Sequence, residues 1–154
     1  MGSNIIGVEL TPLKQIVHPK GDIYHCMKKS DQGFNGFGEA YFSTINCGDI
    51  KAWKRHTRMT LNFVVPVGAM KIVIYDDRPG SGTKGEFFQI VLSAENYQRI
   101  TIAPNLWVGF SGVGEGLNLL LNIADLEHDP LEMDRLELSS IIYDWNEKDI
   151  DIRR

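Results

Sequence analysis

The stretch from Gly48 to Gly68, "GDIKAWKRHTRMTLNFVVPVG", gathers Lys51, Lys54, Arg55 and Arg58 around one imidazole, His56. An imidazole changes charge near neutral pH and can carry a proton to or from carbon. Cations one or two residues away can hold a phosphate or steady an enolate oxygen. The combination suits proton abstraction from a carbon acid borne on an anionic substrate. Side chains alternate along a strand, which puts Lys54, His56, Arg58, Thr60 and Asn62 on one side. Trp53, Arg55, Thr57, Met59, Leu61 and Phe63 take the other. The polar side either lines a ligand cavity or faces water, and alternation alone leaves both readings open.

The rest of the chain supplies strands to hold such a face. "FGEAYFSTI", "MKIVIYD", "EFFQIVLS", "RITIAP", "LWVGFSG" and "LNLLLNIA" are rich in Val, Ile, Phe, Tyr and Thr, with turn residues between them. In "MKIVIYD", Met70, Ile72 and Ile74 share one face. "GSGTKG", Gly80 to Gly85, lacks the spacing of a phosphate loop and reads as a hairpin loop. Short, regularly spaced strands without helical periodicity between them predict an all-β sandwich or barrel. Only "DPLEMDRLELSSI" has a helical period, which predicts a short C-terminal helix or turn with Glu132, Asp134 and Glu137 on its solvated face.

A length of 154 residues predicts one domain spanning 1–154. The net charge of −4 argues against a general nucleic-acid binder, which needs a surplus of cations. Cys26 and Cys47 lack CxxC spacing, which fits a reduced, cytoplasmic protein. No apolar run approaches the ~20 residues that span a bilayer, so neither membrane nor nucleic acid is an expected partner.

Three segments carry a family resemblance. "VLSAENYQRITIAPNLWVGF", Val91 to Phe110, is similar to "ELSAEN…IPPGFAHGF"; "VVPVGAMKIVIYDDR" resembles a strand–turn–strand ending in "DIR"; "GDIKAWKRH" lies where "GVLRGLHYQ" is found. These are motifs of the dTDP-4-dehydrorhamnose 3,5-epimerases, nucleotide-sugar epimerases of the jelly-roll cupin class. The resemblance implies a cupin-type jelly roll, a homodimer, and epimerisation of a nucleotide-linked 4-keto sugar for cell-surface polysaccharide such as lipopolysaccharide. Without gaps, Lys51 matches the family's substrate-binding Arg, Lys54 its catalytic His, and His56 the Gln that follows. A two-residue shift makes His56 the base, and the "RGxHAH" of related sugar 3,4-ketoisomerases matches His56 to its second His. "NEKD" resembles a late "SxKD" whose Asp orients the imidazole, which here is Asp149. The family's acid, a Tyr, is matched by Leu121, the Lys after it by Asn122, and the "AHGF" His by Val108.

The expected assignments are His56 as base, Lys54 (or Arg58 from the same face) at the enolate, and Asp149 as orienter. Lys51, Arg58, Asn62, Trp107 and Asn122 are the expected substrate contacts, with Trp107 stacking on a base or sugar or else packed in the core. Metal-binding cupins carry Gly, five residues, then His-x-His; Gly48 puts Lys54 at the first of these, and no later His lies near Trp107–Gly109. No metal or other cofactor is therefore expected. A ketoisomerase, or a cupin that binds nucleotide sugar without turnover, are the competing readings; the Leu at the acid position favours the latter.

Overall fold

The computed structural model describes residues 5–146. Its strands are β1 (Val8–Pro12), β2 (Gln15–Ile16), β3 (Ile23–Tyr24), β4 (Glu39–Thr44), β5 (Ile50–His56), β6 (Leu61–Val67), β7 (Ala69–Tyr75), β8 (Phe87–Ser93), β9 (Gln98–Ile102), β10 (Trp107–Gly112), β11 (Leu119–Ala124) and β12 (Met133–Arg135). Two five-stranded antiparallel sheets face each other, in the orders β1-β9-β6-β11-β4 and β12-β5-β10-β7-β8, and β2-β3 form a small ribbon. This is the jelly-roll sandwich that the strand pattern and the resemblance imply. Alternation places Met70, Ile72 and Ile74 of β7, all fully buried, in the core between the sheets with Phe63, Val65, Leu92, Ile100 and Leu120. Among the described residues, no helix is long and apolar enough to cross a membrane, and both cysteines are free.

Of the short C-terminal helix or turn that the sequence predicts, the structure takes the turn. "DPLEMDRLELSSI" forms two single 3-10 turns, Pro130–Glu132 and Leu138–Ser140, with β12 between them. Asp129 caps the first turn by accepting the Leu131 amide at 3.0 Å. The backbone of β12 then pairs with β5, Met133 opposite His56 and Arg135 opposite Lys54, which a helix could not do.

The charged run from Ile50 to Val65 is likewise not one strand. β5 and β6 belong to opposite sheets, and the chain crosses between them at Thr57–Thr60. The Glu132 carboxylate fastens this corner: its Oε2 accepts the amides of Arg58 and Met59, each at 3.0 Å. Asp125 accepts the Thr60 amide at 2.8 Å. Crossing the corner resets the alternation, so the shared face predicted for Lys54 through Asn62 ends at His56.

On the outer face of the first sheet, Asn62 and Thr101 meet Arg99, which is fully buried beneath residues 26–33. Arg99 donates to Asn62 Oδ1 at 3.2 Å, to the carbonyls of Cys26 at 2.8 Å and Gln32 at 3.0 Å, and to Asp31 at 3.2 Å. On the outer face of the second sheet, Trp53, Val73 and Trp107 pack against Ile141, Tyr143 and Trp145. The loop after β7 is a hairpin connection, tied by the buried Asp76 carboxylate, which accepts from Arg78, Ser81 and Thr83 at 2.6–2.9 Å.

Candidate active site

A cavity of about 690 Å³ opens between the sheets, lined by Lys51, Lys54 and His56 of β5, Arg135 of β12, and Tyr41 and Ser43 of β4, with Phe63, Phe110 and Leu120 among its apolar walls. This is the size range of a small-molecule site. The polar side of β5 thus lines a cavity rather than facing water.

His56 is buried, and its Nδ1 is hydrogen-bonded to Glu132 Oε1. Glu132 is 3% exposed, which corrects the expectation of a solvated helix face. Burial would push its carboxyl up, but the bond from His56 and the two backbone amides outweigh this and hold it below the ordinary glutamate value. An ionised carboxylate only accepts, so the imidazole's Nδ1 carries the proton it donates; in the neutral ring Nε2 is then the nitrogen with the lone pair. Of the two carboxylates, Glu132 is the one bonded to His56; Asp149, the expected orienter, lies outside the described residues.

Lys54 and Lys51 lie three residues apart, a spacing that plain alternation would send to opposite faces. A bulge resolves this: Val108 opposes Lys54 and Phe110 opposes Lys51, so two residues of β5 span the single Gly109 of β10. Glycine is required there, because a Cβ would come within 2.6 Å of the Ala52 Cβ and 3.2 Å of the Trp145 ring. Burial, then repulsion from Arg135 and Lys51, depresses the Lys54 ammonium below its ordinary value. Among the described residues neither Lys54 nor Arg135 has a carboxylate partner within salt-bridge distance, while Lys51 Nζ donates to the Thr44 carbonyl at 2.7 Å. The cavity wall thus carries the three cations Lys51, Lys54 and Arg135 against one carboxylate, Glu137, a surplus of positive charge that an anion would neutralise.

The remaining expected contacts lie elsewhere. Arg58 points away from the cavity, with a largely exposed side chain paired to Asp129 at 3.1 Å. Asn62 belongs to the Arg99 cluster. Trp107 is buried on the outer face of its sheet, donating to Asp77 at 3.0 Å and covered by Arg55 at 4.5 Å from its ring. Asn122 faces inward but stands behind Tyr41, whose hydroxyl it meets at 3.1 Å. Leu121, at the family's acid position, pairs with the exposed Phe42 and faces away from the cavity. Glu132, Arg135 and Tyr41 were not found from sequence. The first two sit in the segment read as helical, and only its pairing with β5 brings them to the site. Among the described residues no group of three His, Cys, Asp or Glu is placed to hold a metal.

No protein-family model matches the chain. It is 32% identical over 149 residues to a protein of Haloferax volcanii named a probable low-salt glycan biosynthesis epimerase, covering 93% of this chain and 96% of that one. It is 24% identical to a spore coat polysaccharide biosynthesis protein of Bacillus subtilis, over 92% of this chain and 97% of the relative. A dTDP sugar isomerase from Desulfovibrio desulfuricans has the same fold, with a TM-score of 0.92 at 35% identity and 97% coverage of both chains. Two relatives above 30% identity over nearly the whole length, joined to the jelly-roll fold, settle the family: the chain belongs to the dTDP-4-dehydrorhamnose 3,5-epimerase-like cupins, a family of nucleotide-sugar epimerases.

Proposed function

We propose that this protein epimerises a nucleotide-linked 4-keto sugar by removing a proton from a carbon next to the ketone. The observation that carries the reading is the His56–Glu132 pair on the wall of a cavity that also holds Lys54. His56 Nε2 takes the proton, Glu132 holds the tautomer and steadies the imidazolium, and Lys54 stabilises the enolate oxygen. Lys51 and Arg135 are the cations for the diphosphate, and the apolar walls enclose the sugar. The metal-ligating side chains on the cavity wall are His56 and Glu137, short of the three or four convergent donors that a metal site needs.

The product serves cell-surface polysaccharide, of which lipopolysaccharide is one form, and the enzyme works in the cytoplasm as a homodimer. The relatives' names support the glycan assignment. Dimerisation is supported by the apolar residues that the edge strand β4 and its flank expose, Phe37 and Phe42, each 65% exposed. Light scattering at micromolar concentration checks it; a clean monomer rejects it.

The test of function is incubation with a panel of dTDP-, UDP- and GDP-linked 4-keto-6-deoxyhexoses in deuterated water, read by mass and by NMR. Deuterium at a carbon beside the ketone, with inversion there, is the expected result. A ketone that has moved from C4 to C3 would assign the ketoisomerase reaction instead. Binding without exchange would leave a carrier and overturn the catalytic reading.

A further inference from the structure

Inversion at carbon needs a proton delivered to the face opposite the one from which a proton is taken. His56 stands on β5, and the sheet across the cavity from it is the one that faces the opposite side of a bound sugar; Glu137 and Ser140, which also line the cavity, follow β12 on the His56 side. The facing sheet contributes Tyr41, Ser43, Leu61, Phe63 and Leu120 to the cavity wall. Three of these have no exchangeable proton, and a serine hydroxyl is far too weak an acid to deliver one to an enolate. A phenol is suited to the task.

The surroundings of Tyr41 fit a donor. Asn122 Oδ1 accepts the backbone amide of Asn62 at 3.1 Å, which only the oxygen of the carboxamide can do. Its Nδ2 is thereby turned toward Tyr41 and donates to the phenol oxygen at 3.1 Å. The phenol accepts in this bond, so its own proton remains available. A hydrogen bond donated into that oxygen also stabilises the phenolate left after transfer. Tyr41 is 42% exposed, which gives water access to restore the proton.

We propose that Tyr41 is the catalytic proton donor, acting from the sheet opposite His56, with Asn122 as the residue that positions its hydroxyl. The inference rests on the epimerase reading of the site. In the step, the C–H bond beside the ketone breaks and its proton passes to His56 Nε2. The electron pair is held as the enolate. A new C–H bond forms on the other face with the proton of the Tyr41 O–H, and the enolate returns to the ketone. Solvent then takes the proton from His56 and supplies one to the phenolate, so the net change is inversion alone. The acid has thus moved from β11, where Leu121 faces outward, to the neighbouring β4.

Incubating wild type and Tyr41→Phe with the panel sugar that wild type turns over, in deuterated water, separates the two half-reactions. Tyr41→Phe is expected to keep deuterium exchange at the target carbon, since His56 can return a solvent-derived deuteron to its own face. Inversion should fall by about a hundredfold or more. Asn122→Asp is the second variant: its carboxylate still accepts the Asn62 amide but opposes formation of the phenolate, so inversion should fall, and recover at low pH, while exchange persists. Near wild-type inversion by a folded Tyr41→Phe overturns the proposal, as does equal loss of exchange and inversion in both variants. A wild-type protein that exchanges no deuterium with any panel sugar rejects the epimerase reading itself and, with it, the donor.

Discussion

Two buried basic side chains in this protein, Arg99 and His56, are handled in opposite ways. Arg99 is fully buried, and its guanidinium is spent on Asn62, Asp31 and the carbonyls of Cys26 and Gln32. Nothing of it is directed at the cavity. His56 is almost as buried, yet one nitrogen is committed to Glu132 and the other is left facing open space. A saturated buried charge fastens structure, here residues 26–33 against the outer face of a sheet. A buried imidazole with one nitrogen committed and its ring on a cavity wall is available for chemistry, and that difference is what singles out His56 as the candidate.

Paired substitutions can break this contrast. His56→Asn is expected to slow deuterium exchange by about 10²–10⁴ while leaving dTDP binding near wild type by calorimetry, because Lys51, Lys54 and Arg135 remain. Arg99→Leu is expected to do the reverse: a loss of about 3–5 kcal/mol in urea unfolding, with exchange per folded molecule unchanged. If both variants lose activity and stability in the same proportion, the contrast is false.

Glu132→Gln sharpens it, since Glu132 bonds both the corner amides and His56. The amide oxygen can still accept the Arg58 and Met59 amides, but its NH₂ then faces Nδ1 and forces the tautomer that lacks a base. Exchange should fall about a hundredfold. The carboxyl's folded pKa lies below its ordinary 4.5, so its stabilisation is full above that value and is lost as pH falls through the folded pKa. In acid titrations of stability, the variant's curve should therefore be flatter than wild type below pH 4.5. The smallest effect belongs to Arg55→Ala, on the outer side of β5. Its loss of the Asp134 pair at 2.8 Å and of the contact over Trp107 should cost about 1 kcal/mol and leave exchange alone.

The strands were legible because alternation writes itself into residues such as Met70, Ile72 and Ile74, and because Lys54 and His56 obey it inside β5. Beyond His56 it misled. The corner that moves the chain to the other sheet depends on a carboxylate 76 positions from His56, and no local pattern announces that. Lys51 fell correctly among the cavity cations only through family resemblance, since the bulge opposite Gly109 reverses its parity. Glu132 and Arg135 were hidden by a spacing that suits a helix equally well. Arg58, Asn62 and Trp107 were placed at the ligand by parity and residue type, which cannot register a change of sheet or the face on which an aromatic packs.

β12 is three residues long, lies at the edge of its sheet, and is made late in the chain. It nevertheless carries Arg135 and follows directly on Glu132. Synthesis runs from the N-terminus, so a nascent chain that has emerged only through β11 already holds His56 and most of both sheets. Its imidazole would have no carboxylate to set the tautomer, and its cavity would lack one cation. On the proposed reading, catalysis waits until β12, the last strand among the described residues, docks against β5, and the onset of deuterium exchange during refolding would time that event.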